Sequence, residues 1–445
     1  MENSQIKKLC VDLIKSDKED DVINLLRDEG YWENQDAWRF YGDYENNYNV
    51  IGNQQSRPDA ALVEKLVNSI DARLLNECLI RQINPESDSA PKTIRESVAI
   101  FFEENPESYT AGLITEWADS KRTEVARGIT LVATGAKPSA GFPCFTISDC
   151  GEGQTPEMMP YTLLSLNKDN KLRIPFVQGK FNMGGTGVLK FCGHHNLQLI
   201  VSRRNPDILN GNFKTPTDLL WGVTIVRRED PKGGRRSSVY TYLAPSGIDK
   251  HPGKSGVLSF NADSMPIFPE GRHPYGKASG WGTLIKLYEY NATGFKSHIL
   301  LPDGLLSRMD LLLPALALPV RFHESRDYKG HSGSTETTVT GLNVRLGDDK
   351  AENIEENFPL SCPMNVGGEK MTATIYAFKK GKAGTYRKNE GIMFTVNGQT
   401  HGHFTTDFFR RTKTGCSYLR DSLLVIVDCS DLSGRAREDL FMNSR

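Results

Sequence analysis

The chain has 445 residues, 38% apolar and 24% charged, with a formal net charge of −1. This is a globular rather than a disordered composition, the length asks for two or at most three cores, and the balanced charge excludes a global attraction to nucleic acid or to an anionic membrane. No run of about 18 apolar residues offers a membrane span, the first residues lack the apolar stretch of a signal peptide, and the eight cysteines are scattered with no C-x-x-C pair, so a soluble cytoplasmic protein with free thiols is expected.

Residues 1–30 carry apolar stripes at helical spacing (Ile6, Leu9, Leu13, then Val22, Ile23, Leu26) and predict helix. Residues 31–57 are aromatic and Asn-rich, a loop or strap. A long helix is predicted from Pro58 to Ile80, because a proline and an acidic residue (Asp59) both suit a helix start. Residues 143–149 predict a strand that runs into Gly151 and Gly153, and 195–203, 220–228, 237–243 and 282–290 predict further strands. Helices with antiparallel-looking strands up to about 297 make an α+β pattern. Beyond a boundary near 298, residues 300–318 predict an apolar helix ending at Pro319. Strands are predicted at 320–323, 338–345, 371–378, 391–396 and 423–429, with a polar loop at 324–336 and a hairpin turn at Asn397-Gly398.

Four short elements carry chemistry. On the predicted helix, Glu64 and Asn68 stand one turn apart and Asp71 three residues further, which puts two carboxylates and an amide on one face. An amide oxygen there can complete the shell of a Mg²⁺ held by phosphates, and a carboxylate beside it can polarise a water. Asp149-Cys-Gly151-Glu-Gly153 ends a strand, where an acceptor-only carboxylate suits an exocyclic amino group such as that of adenine and the glycines allow close approach. Gly184, Gly185 and Gly187 flank Thr186 before an apolar segment, and bare N–H groups at such a place cradle phosphates. This is not a Walker A loop, and it lacks dinucleotide-binding spacing. Finally, Gly282-Thr283 opens a strand and brings a hydroxyl to its mouth.

Taken in order, the four elements resemble the GHKL ATPase superfamily (gyrase B subunits, the ninety-kilodalton heat-shock chaperone, histidine kinases and MutL), nearest to the chaperone and the MORC-type ATPases. Glu64–Ala72 looks like the family's N box, Asp149–Gly153 like its D-x-G-x-G box, Gly179–Gly187 like its second glycine box and Gly282-Thr283 like its late Gly-Thr strand. Asn182 and Gly185-Thr186 depart from the residues usual in the glycine box. The resemblance implies a Bergerat-type α/β sandwich over 58–297, preceded by a helical arm at 1–57 and followed by a smaller α/β transducer domain over 298–445.

It further implies Glu64 as general base and Asn68 as Mg²⁺ ligand. Asp71 and Ala72 lie in the same box. Asp149 would meet the adenine amino group with Thr283 in support, and Gly151 and Gly153 would shape that turn. Gly184, Gly185, Thr186 and Gly187 would hold the phosphates of ATP. A lid over 154–183 would bring Asn167, Lys168 and Lys180. Arg445, in a segment resembling the chaperone's catalytic-arginine segment, or Lys380, in the Lys379–Lys382 loop, would sense the γ-phosphate. A glutamate at 64 and the absence of histidine before His194 point to hydrolysis rather than histidine phosphorylation. The expected protein is a Mg-dependent ATPase that dimerises with ATP, chaperone-like or defence-related. A DNA-processing clamp and a nucleotide-sensing module are the alternatives, with a DNA or protein client and no membrane.

Overall fold

In the computed structural model, residues 2–166, 173–179, 184–211, 215–245, 256–328 and 335–441 are described. Among the described residues, helices and three separate sheets make an α+β protein. The chain divides into two compact units. Unit 1 comprises Met1–Gly112, Thr123–Leu305 and Val320–Thr338, and unit 2 comprises Leu113–Arg122, Leu306–Pro319 and Val339–Arg445. Residues 1–57 thus lie within unit 1.

Unit 1 is built on one large sheet. Its strands run in the order Trp38–Phe40, Val239–Leu243, Trp221–Glu229, Gln198–Arg203, Gly282–Leu287, Pro143–Asp149, Ile129–Gly135, Val320–Glu324 and Glu336–Val339, with Leu258–Phe260 paired to Trp221–Glu229. Every pairing from Trp38–Phe40 to Ile129–Gly135 is antiparallel, while Val320–Glu324 adds in parallel. Both faces are covered, so the central strands are buried along nearly their whole length and do not show an alternation of buried and exposed positions.

On one face the helices Asn3–Lys15 and Glu19–Asp28 bury Ile6, Leu9, Leu13, Val22 and Leu26 against Cys144, Leu199, Val201, Trp221 and Leu284. The hairpin Met265–Glu270/His273–Ser279 joins this layer through Met265, Ile267 and Phe268. Two polar clasps fix it. Lys286 is fully buried and its Nζ donates to the Ile14 carbonyl and to Asp17 Oδ1, both at 2.8 Å. The Glu19 carboxylate, also buried, accepts the backbone N–H groups of His194, His195 and Leu197. A buried ion pair tolerates removal of one partner badly, because the other is left as an unpaired charge.

The opposite face receives the helix Pro58–Ile80. At the far side of the sheet, the buried His323 stands with Nδ1 3.2 Å from the Glu336 carboxylate. Burial pushes its imidazole down to about 4, against the pull of Glu336. An unfolded histidine takes its proton near 6.5, so between about 6.5 and about 4 the unfolded chain binds the proton and the fold does not. Stability therefore falls as pH drops through that window. Thermal melts from pH 8 to pH 4 should show this slope, and His323→Gln should flatten it. Equal slopes in both proteins would show that His323 titrates normally.

Unit 2 holds a five-stranded sheet in the order Leu360–Val366, Glu369–Ala377, Leu423–Asp428, Glu390–Val396 and Gln399–Thr405. Glu390–Val396 and Leu423–Asp428 run parallel and the other pairs antiparallel. One face packs Tyr376, Phe378, Met393, Leu424 and Ile426 on Leu342 and Leu346, and the other packs Val396, Val427 and Leu432. Asn397 and Gly398 both take positive φ (50° and 77°), the backbone of a two-residue hairpin turn.

Two sequence expectations change here. Residues 338–345 are not one strand: the strand is Glu336–Val339, and Leu342–Asp348 is helical. Gly341 at φ 87° turns the chain between them, and the Asn343 N–H reaches the Pro314 carbonyl. The apolar stretch 300–318 is helical only over Leu305–Leu312, since Pro302, Pro314 and Pro319 each withdraw an N–H donor. Among the described residues no helix is long and apolar enough to cross a membrane, and the eight cysteines are unbridged.

Candidate functional site

The site is assembled around the helix Pro58–Ile80. Pro58 stands in its first turn, where the missing N–H costs nothing, and the Asp59 carboxylate accepts from the Arg57 guanidinium and the Ala60 N–H. The helix is buried through Leu62, Val63, Leu66, Val67, Ile70 and Leu74. Glu64 and Asn68 are half-buried and Asp71 is fully buried. Lys65 is buried too, and burial lowers its ammonium to about 8, opposed by the nearby Cys192.

Each member of the Glu64–Ala72 run has a defined setting. Asp71 accepts the backbone N–H groups of Gln178 at 2.7 Å and Gly179 at 3.1 Å, so it ties the segment leading to the glycine loop onto the helix. The Ala72 carbonyl accepts from the Glu152 N–H. A Cβ placed on Gly151 would sit 2.6 Å from that of Ala72, which explains why both residues are small.

Asp149 ends its strand buried beneath the helix. Its Oδ2 accepts from Ser69 Oγ at 2.8 Å and its Oδ1 from the Gly151 N–H at 3.0 Å. The strand register sets Asp149 opposite Thr283, and Thr283 opposite Ser202. Directly opposed side chains share a face, so carboxylate and hydroxyls form one row across three strands. Thr283 Oγ1 and Ser202 Oγ lie 2.9 Å apart, and Ser202 Oγ also accepts the Gln154 N–H. At Gly153 (φ 62°) a Cβ would run into the Arg203 carbonyl, and at Gly282 (φ 126°) into that of Asp149. Only glycine lets these turns close. Behind them, Arg204 pairs with Glu152 at 2.6 Å, and Arg73 and Arg81 both grip Glu77.

The glycine loop reaches the helix as the 3-10 turn Gly184–Thr186. A Cβ on Gly185 would stand 3.3 Å from Asn68 Nδ2, and one on Gly179 would stand 3.0 Å from Asp71 Oδ2. Bare backbone thus faces the polar side of the helix, with Thr186 buried and Gly187 next in chain. Asn167, Lys168, Lys180 and Arg445 lie outside the described residues. Lys380 is exposed in unit 2, just after Glu369–Ala377.

Ser69 and Ser202 are the site residues that sequence reasoning passes over. Each is a buried hydroxyl inside an apolar element, and that misplaced polarity is the only signal either gives.

Among the described residues no three His, Cys, Asp or Glu side chains gather as a metal-binding group. Mg²⁺ fits this donor set in another way: it takes few protein ligands and is held largely by substrate phosphates, which asks of the chain one neutral oxygen such as that of Asn68 beside a bare backbone turn. A scan against protein-family models and a search of curated proteins find no match to this chain.

Proposed function

We propose that unit 1 binds Mg·ATP and hydrolyses it slowly, its sheet and helices forming a Bergerat-type sandwich of the GHKL kind, with unit 2 as the transducer. One observation carries the reading. The buried strand-end carboxylate of Asp149 is held by a hydroxyl from the same helix that presents Glu64 and Asn68. The base-reading group and the groups facing the phosphates are thereby fixed to one rigid rod, the preorganisation that phosphoryl transfer depends on.

Each residue has a task its chemistry suits. An ionised carboxylate offers about four acceptor sites, so the bonds from Ser69 and Gly151 are compatible with a further one from an adenine amino group. The Thr283–Ser202 hydroxyl pair supports that edge. Backbone N–H groups of the Gly184–Thr186 turn receive phosphate oxygens, and the Asn68 amide offers its oxygen to the metal. When bound, Mg²⁺ neutralises charge on the phosphoryl group being transferred. Glu64 takes the proton from the attacking water. By the same resemblance, ATP draws two copies of the chain together, in a chaperone-like or defence-related switch.

Calorimetry with ATP, phosphate release with Mg²⁺ or with EDTA, and light scattering with a non-hydrolysable analogue test this. Saturable ATP binding with Mg²⁺-dependent release supports the reading. No binding up to about 1 mM ATP, the upper end of ordinary KM values, removes it. A chain that stays monomeric with the analogue removes the dimerisation part alone.

A further inference from the structure

Unit 2 carries a charge asymmetry that the whole chain hides. Between Lys379 and Arg420 there are nine lysines and arginines but only two carboxylates, Glu390 and Asp407, in a chain whose formal net charge is −1. The sheet topology gathers these cations at one end. Glu369–Ala377 ends there and Leu423–Asp428 begins there, since Ala377 pairs with Leu423. Glu390–Val396 begins and Gln399–Thr405 ends at the same place, Glu390 being opposite Thr405. The segments 379–389 and 406–422 therefore emerge side by side, joined by Arg387 Nη2 to the Arg420 carbonyl at 2.6 Å and by the Thr406 N–H to the Asn389 carbonyl at 2.8 Å.

The two carboxylates are already engaged. Asp407 lies 3.6 Å from Arg410 and 3.7 Å from Arg420, and Glu390 accepts the Lys388 and Asn389 N–H groups. Lys380, Lys382, Lys388, Arg411 and Lys413 are exposed and form no ion pair among the described residues.

Aromatic rings stand among these cations. Phe404 and Phe408 stack at 5.2 Å, and the Arg411 guanidinium lies 5.6 Å from the first ring and 4.9 Å from the second. Phe404 remains 42% exposed and Tyr418 78%. Phe404 is anchored edge-on against Phe394 at 5.5 Å, and its exposed part, with Tyr418, shares this end of the sheet with the unpaired cations. They suit one class of ligand, a polyanion with planar groups at regular spacing. Cations track its backbone, and rings and guanidinium planes receive its bases without regard to sequence.

We propose that this end of the unit 2 sheet binds single-stranded nucleic acid, with Arg410, Arg411 and Lys413 on phosphates and Tyr418 and Phe404 as stacking platforms. The proposal stands on unit 2 alone and does not need the ATP reading.

Fluorescence anisotropy of the full chain with a labelled twenty-nucleotide oligo-dT tests it. The parent should bind, and affinity should fall roughly 50-fold from 50 to 200 mM salt if about four phosphates are contacted. The triple variant Arg410→Glu, Arg411→Glu, Lys413→Glu should lose binding. Tyr418→Ala, at a site too exposed to disturb the fold, should weaken it roughly tenfold. No binding by the parent at 50 mM salt, or unchanged binding by the triple variant with its circular dichroism intact, overturns the proposal. Equal affinity for a duplex of the same length, with Tyr418→Ala neutral, overturns the stacking assignment and with it the single-strand preference.

Discussion

Glu64→Gln is expected to lower phosphate release by roughly 10²–10⁴-fold, the usual contribution of a positioned general base, while leaving ATP affinity nearly unchanged. The change is close to isosteric. Glutamine is as good a helix former as glutamate, and position 64 is half-buried between the buried Val63 and Lys65, so the helix and its bond from Ser69 to Asp149 should survive. What disappears is a group able to take a proton from water. Single-turnover phosphate release beside calorimetric titration separates chemistry from binding. A variant that turns over like the parent would place the base elsewhere. A variant that no longer binds ATP would make position 64 a binding residue instead.

Asp149→Asn is expected to weaken ATP binding by roughly 10²-fold with only a small loss of stability. In the parent both carboxylate oxygens accept, one from Ser69 Oγ and one from the Gly151 N–H. A carboxamide has a single oxygen. The Gly151 N–H can only donate, so it claims that oxygen, and the Ser69 hydroxyl rotates to accept from the new NH₂. The fold loses about 1 kcal/mol, an ordinary hydrogen-bond difference. The ligand fares worse, because an NH₂ now confronts the adenine amino group, donor against donor. Calorimetry and a thermal melt on the same sample read both effects. Unchanged ATP affinity would mean that Asp149 does not read the base, and a collapse of the melting transition would mean that its role is structural.

The sequence declares the parts of this molecule that repeat a period and hides those that do not. Pro58–Ile80 announces itself by its start and its length, and Pro143–Asp149 by its run into two glycines. Ile129–Gly135 is buried on both faces, so it shows no alternation to read. The hairpin Met265–Glu270/His273–Ser279 contains Pro266, Pro269 and Pro274, residues that argue against strand except at an edge, where this hairpin lies apart from the large sheet. Leu342, Val344 and Leu346 alternate like a strand, yet all three are buried within a two-turn helix. At the site, Glu64, Asn68, Asp71 and Asp149 are legible because acidic and amide groups at set spacing suggest chemistry. Ser69 and Ser202 are single hydroxyls whose meaning comes only from strand register and helix rotation.

The clasp between Lys286 and the Ile14–Asp17 turn also fixes when the fold can close. The two ends of that contact are about 270 residues apart in the chain. A ribosome adding roughly 5–20 residues per second needs on the order of 15–50 s to reach the lysine after making the turn. Until then the sheet beneath the first two helices lacks Gly282–Leu287, the strand that joins Gln198–Arg203 to Pro143–Asp149 and brings Leu284 to their apolar sides. Such long-range closure is intrinsically slow. The helices Asn3–Lys15 and Glu19–Asp28 are therefore made long before the contact that locks them, and are among the last elements of unit 1 to settle.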